Sequence, residues 1–213
     1  MTENNVAFKS GDLTLEGVWS VPGGSGPFPA AVVCHPHPLY GGNMDNNVVS
    51  AVCEGLASVS IACLRFNFRG VGRSQGSHAN GVGEKDDVRA ALAFVSSQNG
   101  GEGRSIGLCG YSFGAGVALE VAVNEDAVEA LALISPIMAS PSPLQDYHRP
   151  KLVLWGSHDL ALPGTDLPDL SENLPEPREY EIVSGADHFW WGHEQRIADR
   201  VSAFFKHSLR SDR

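Results

Sequence analysis

The sequence predicts an α/β fold on a mainly parallel, doubly wound sheet, and three observations carry that expectation. Short apolar runs recur along the 213 residues, amphipathic stretches of helical length separate them, and only the first two runs alternate as half-exposed strands do. The runs are AAVVCH (30–35), IACLRFNF (61–68), RSIGLCGY (104–111), ALALIS (130–135), KLVLWG (151–156) and YEIVSG (180–185). Most are nearly continuous in apolar character, which suits strands covered on both faces by helical crossovers. NVAFKS and LTLEGVWSV alternate and meet near Ser10-Gly11-Asp12, which reads as an antiparallel hairpin at one edge of the sheet.

Helices are expected over 44–59, 84–98, 113–123 and 192–209. In the second, Val88, Leu92 and Val95 share one face, and Glu84, Asp86 and Asp87 occupy the first turn, where the positive end of the helix dipole favours carboxylates. Asp45 is expected to cap the first helix. Residues 21–29 form a turn-rich loop, and 135–150 a proline-broken connection too short for a lid domain. With no repeat, low-complexity tract or change of composition, residues 1–213 are expected to form one domain.

Composition narrows the partners. Fifteen Lys and Arg against 25 Asp and Glu give a net charge of −10, which repels phosphate backbones and anionic membranes, so neither nucleic acid nor membrane is expected as a partner. The first residues lack a basic segment followed by an apolar one, and no apolar run reaches membrane-spanning length, so a soluble cytoplasmic protein is expected, monomer or homodimer. Cys34, Cys53, Cys63 and Cys109 sit singly in apolar runs without C-x-x-C spacing and read as buried, reduced thiols.

The chemistry centres on Gly110-Tyr111-Ser112-Phe113-Gly114. A serine after a glycine turn is often only a helix N-cap. Here the motif joins a strand run to a helix run, the context of a nucleophile elbow, in which small flanking residues let a strained serine stand clear and its neighbour's N–H face the reacting carbonyl oxygen. A serine nucleophile needs a base, and the base an acid that fixes its tautomer. Asp159 follows KLVLWG and His188 follows YEIVSG, both at the strand ends where a parallel sheet carries its ligands. Asp146, Asp166 and Asp187 are rivals for the acid, and His158 and His193 for the base.

VVCHPHPLYGGNMDN (32–46), LRFNFRGVGRSQG (64–76), GYSFGAGVA (110–118), LWGSHD (154–159) and GADHFWWG (185–192) occur in an order that resembles the α/β-hydrolase superfamily over nearly the whole chain. More narrowly, they are similar to its small cap-less members related to dienelactone hydrolases and serine-peptidase-like esterases. The resemblance implies an α/β-hydrolase fold without a lid domain, and Ser112, Asp159 and His188 as nucleophile, acid and base. Phe113 N–H would be one oxyanion donor. Ser112 stands where true dienelactone hydrolases carry cysteine, and His35-Pro36-His37-Pro38 replaces the commoner His-Gly. Since proline has no N–H, the second donor would be His37, with Leu39 as the fallback.

His35 and His37 could alternatively ligate a metal, but two histidines without a third ligand do not make a zinc site, and neither metal nor cofactor is expected. Arg69 and Arg73 read as structural ion-pair partners. Tyr40, Met138, Leu144, Trp190 and Trp191, with the Phe113 ring, are candidate pocket lining. The expected substrate is a small-molecule ester with a short or accessible acyl group, cleaved through an acyl-enzyme. Thioester or peptide cleavage by the same residues, and a non-catalytic binding module on the same fold, are the alternatives.

Overall fold

Every expected strand is present: β1 (Thr2–Ser10), β2 (Leu13–Val21), β3 (Ala30–Cys34), β4 (Ala62–Phe66), β5 (Ile106–Tyr111), β6 (Val128–Ile134), β7 (Lys151–Gly156) and β8 (Arg178–Val183). The structure, a computed structural model, describes residues 1–24, 26–98, 106–138, 142–161 and 172–209. The strands form one sheet in the order β1-β2-β4-β3-β5-β6-β7-β8. β1 pairs antiparallel with β2 from Thr2↔Val21 to Ser10↔Leu13, β2 pairs antiparallel with β4, and the remaining pairs are parallel.

Five helices flank the sheet among the described residues: α1 (Asn47–Ser58), α2 (Val82–Gln98), α3 (Phe113–Ala122), the short α4 (Ser142–Asp146) and α5 (Glu194–Ser208). Because successive strand side chains point to opposite faces, each central strand feeds two core layers. Ala30, Val32 and Cys34 of β3 join Val88, Leu92 and Val95 of α2 and the buried face of α3. Ala31 and Val33 join Val48, Val52 and Leu56 of α1 and Ile197, Val201 and Phe205 of α5. None of these helices is long and apolar enough to cross a membrane. All four cysteines are buried free thiols, with Cys53 and Cys63 Sγ 2.7 Å apart.

Two expectations about charged residues change. Asn46, not Asp45, caps α1, its side chain accepting the Val48 N–H at 3.0 Å, while the exposed Asp45 carboxylate turns toward Arg65 at 3.6 Å. Because α2 begins at Val82, only Glu84 of the three acids lies in its first turn; Glu84 and Asp87 are fully buried, and Asp86 is a surface group. Asp87 accepts from Arg69 Nη2 (2.7 Å), Arg69 Nε (3.0 Å), the Arg69 backbone N–H (3.0 Å) and the Ser10 hydroxyl (2.7 Å). Arg69 and Arg73 are structural pairs, the latter with Glu16 at 2.8 Å. The loop after β4 is therefore tied to β1, β2 and α2.

The order places β4 on one side of β3 and β5 on the other, so the chain leaves the C-terminal ends of β3 and β5 in diverging directions. A crevice opens at such a reversal. The loop after β3 and the turn after β5 meet there.

Candidate active site

β5 ends at Tyr111 and α3 begins at Phe113, so Ser112 alone turns the chain from strand to helix. It does so at φ 57° and ψ −119°, a region that costs a non-glycine residue about 1–3 kcal/mol. The flanking glycines are steric necessities. A Cβ on Gly110 would lie 2.5 Å from the Ala115 Cα, and one on Gly114 would lie 2.4 Å from His35 O and 2.6 Å from Cys34 O. These are backbone atoms that cannot swing aside. Gly114→Ala is accordingly expected to destabilise the fold by roughly 1–3 kcal/mol, seen as a lower urea midpoint, by forcing α3 away from β3. An unchanged midpoint would mean that the elbow is more compliant than this geometry implies.

The Ser112 hydroxyl makes no capping bond to α3 and instead stands 2.9 Å from His188 Nε2. His188 Nδ1 lies 2.9 Å and 3.0 Å from the Asp159 carboxylate oxygens. With Nδ1–H donating to Asp159, Nε2 is left as the acceptor facing the hydroxyl. Asp159 is 3% exposed and His188 21% exposed, so the acid is shielded while the base reaches solvent. Burial alone would raise the Asp159 carboxyl, but hydrogen bonds from His188, Ser135 and the Ala161 N–H outweigh it and hold the group below the ordinary carboxylate range. A depressed folded value means that the stability from this charge is present above about pH 4 and is lost as pH falls through the depressed value. Urea midpoints from pH 6 to pH 2 should therefore decline at the acid end, and Asp159→Asn should flatten part of that decline.

Two supports carry no sequence signature. The Tyr111 hydroxyl donates to the His188 carbonyl at 2.6 Å, tying the base to the residue before the serine, and burial keeps that phenol protonated. The Trp190 indole N–H donates to Ser135 Oγ at 3.0 Å, which orients Ser135 toward Asp159. The rivals are occupied elsewhere. Asp187 accepts the Phe189 and Trp190 N–H groups, Asp146 ends α4, His158 is exposed, and His193 stands at the N-cap position of α5 without a side-chain capping bond. Asp166 lies outside the described residues.

After β3, His35 is fully buried with both ring nitrogens taken: Nδ1 donates to Pro36 O at 2.7 Å and Nε2 accepts the Phe68 N–H at 3.1 Å. Burial pushes its pKa down to about 4. It is a strut between two loops rather than a metal ligand. His37 Nδ1 accepts the Leu39 N–H at 3.2 Å, and His37 O accepts the N–H groups of Tyr40 and Gly42. Leu39 N–H is thus engaged, whereas among the described residues no acceptor takes the backbone N–H of His37 or Phe113. The rings of His37 and Phe113 lie 4.9 Å apart, which brings these two residues together at the crevice.

The pocket expectations fare unevenly. Leu144 and Trp190 are completely buried in the two core layers, Leu144 below α3 and Trp190 with α5, and line no open cleft. Tyr40 and Trp191 are 89% and 70% exposed, and Met138 packs half-buried against the core. A recess of about 230 Å³ lies beside Phe113, lined by Gly81, Val82, Gly116 and Ile137 and by the Lys85–Glu120 ion pair, with none of Ser112, Asp159 or His188 in its lining. Gly116 packs directly against the Ile137 carbonyl, where an added Cβ would clash, so only glycine fits there.

With the geometry in view, the sequence profile of the family described as serine aminopeptidase, S33, matches residues 29–181. The chain belongs to that family. An alpha-beta serine hydrolase homologue from Coxiella burnetii is 32% identical, with a TM-score of 0.85 over 95% of this chain and 97% of that one. An α/β serine hydrolase without lid from Xanthomonas campestris is 26% identical, with a TM-score of 0.83 over 100% and 98%. An uncharacterised protein of Rickettsia prowazekii is 36% identical over 178 residues, 76% of this chain and 72% of its own. The α/β-hydrolase fold expected from the motifs is thus the fold of this chain, and membership of the S33 family makes it a hydrolase.

Proposed function

We propose that this S33-family chain is a serine carboxylesterase that cleaves esters with short or accessible acyl groups through an acyl-enzyme. One observation carries the reading: the continuous hydrogen-bonded line from Ser112 Oγ through His188 to Asp159. His188 Nε2 takes the hydroxyl proton as Ser112 Oγ attacks the ester carbonyl carbon, and Asp159 stabilises the imidazolium formed. The N–H groups of Phe113 and His37 receive the oxyanion. As the carbonyl re-forms, the ester C–O bond breaks and His188 protonates the departing alcohol. Water, deprotonated by His188, then attacks the acyl-serine and releases the carboxylic acid.

The family description favours a second reading, removal of amino-terminal residues from peptides. That activity needs an anionic group to hold the substrate ammonium. The described carboxylates near Ser112 have partners: Asp159 with His188, Asp187 with its own turn, Asp45 toward Arg65, Glu84 of α2 with loop N–H groups, and Glu120 of α3, beside the Phe113 recess, with Lys85. This supports a neutral acyl group.

A fluorophosphonate probe tests the reading. The intact mass should rise by one phosphonyl group located on Ser112, and p-nitrophenyl acetate and butyrate should turn over faster than octanoate and aminoacyl p-nitroanilides. An unlabelled protein would exclude the acyl-enzyme, and preference for the anilides would favour the peptidase.

A further inference from the structure

His78 lies on the loop after β4, with β3, β5, β6 and β7 between that strand and β8, which delivers His188. Its Nδ1 is 2.8 Å from Glu84 Oε1, off the axis of the ring N–H but within ion-pair distance. Glu84 is fully buried and also accepts the backbone N–H groups of Ala79 and Gly81, each at 2.8 Å. A buried carboxylate needs such partners, and together they close the end of the loop onto the first turn of α2. The His78 side chain is 9% exposed.

The direction of the ring gives this clamp a second consequence. The His78 centroid is 4.9 Å from that of His37 and 5.5 Å from that of Phe113, and those two are 4.9 Å apart. Three rings, from the loops after β3 and β4 and from the first residue of α3, form a triangle. The two loops are joined behind it, where Met44 N–H donates to Asn67 Oδ1 at 2.8 Å and Phe68 N–H to His35 Nε2 at 3.1 Å. His37 and Phe113 sit on different elements, with no direct backbone bond between them to fix their separation.

We propose that His78, held by Glu84, is a positioning residue that sets the spacing of the His37 and Phe113 N–H groups on which the oxyanion rests. The inference depends on the acyl-transfer reading above. Donors engaged only as the oxyanion forms affect kcat rather than KM, and a displacement of about 1 Å can cost on the order of 10²-fold in rate.

His78→Ala is expected to lower kcat on p-nitrophenyl butyrate about 10- to 100-fold, with KM changing less than about 2-fold. Affinity for a trifluoromethyl ketone, whose adduct with Ser112 carries the same oxyanion, should fall by the same factor. His78→Phe keeps a ring against both neighbours and should recover most of the loss. Should His78→Ala not fold, His78→Gln, which keeps a polar side chain beside Glu84 but no ring, should show the same loss in kcat. Unchanged kcat in a folded variant, unchanged inhibitor affinity, or a loss matching the unfolded fraction by circular dichroism would overturn the proposal. A wild type that neither takes the fluorophosphonate nor cleaves any ester would overturn the acyl-transfer reading and this inference together. Wild-type turnover with an equally active His78→Ala would remove the inference alone.

Discussion

Ser112→Ala and Ser112→Gly should both lose ester turnover by about 10³-fold or more, yet differ in stability, with the glycine variant the more stable by about 1 kcal/mol. Both remove the nucleophilic oxygen and its 2.9 Å contact with His188 Nε2. Alanine keeps a Cβ at φ 57° and ψ −119°, whereas glycine adopts that conformation without steric cost, releasing about 1–3 kcal/mol. Against this stands glycine's larger entropy loss on folding, about 0.5–1 kcal/mol. For a chain of this size the remaining difference corresponds to about 2–4 °C in Tm. Calorimetry on the two inactive variants measures it. Equal Tm values would mean that the backbone at Ser112 is not strained, and the case for a site held against its own stability would fall.

That strain explains why the centre of the site was legible in the sequence. An elbow needs glycine at two positions for reasons of contact with Ala115 Cα and His35 O, and those requirements leave a pattern that survives in one sequence. Asp159 and His188 were legible because a parallel sheet delivers its strand ends to one rim, so runs such as KLVLWG and YEIVSG announce where the following loops gather. Near-continuous apolar runs likewise gave the strands, since period-two sorting into the layers of α2 and α1 requires both faces to be apolar.

What failed to show depends on distant partners. Glu84 and Asp87 read only as first-turn acids because a dipole argument needs only local sequence, whereas their burial depends on His78, Arg69 and Ser10, which other loops and strands supply. Trp190 and Leu144 have the composition of pocket lining, and only packing against α5 and α3 makes them core. Ser135 follows β6 like any loop serine. Its contact with Asp159 arises because Trp190, 55 positions later, holds its oxygen from the other side.

The largest stability effect outside the elbow is expected at Asp87. Its carboxylate is fully buried and accepts four hydrogen bonds, three from Arg69 and one from Ser10, so Asp87→Ala leaves a guanidinium and a hydroxyl without their acceptor. Breaking a buried pair from one side costs about 3–5 kcal/mol, a large share of the roughly 5–15 kcal/mol that holds a domain together. Removing both partners, as Arg69→Met with Asp87→Leu, should cost less than Asp87→Ala alone, because no buried charge is then left unpaired. Recovery should remain incomplete, since the Arg69 backbone N–H and the Ser10 hydroxyl still lose an acceptor. Urea unfolding of the single and double variants reads this directly, and a single-variant cost below about 1 kcal/mol would mean that solvent reaches the pair. Activity supplies the second readout. Arg69 begins the loop that carries His78 toward His37 and Phe113, so Asp87→Ala should lower kcat at temperatures where circular dichroism still reports a folded chain. The loop would then lose its anchor before the sheet loses its strands.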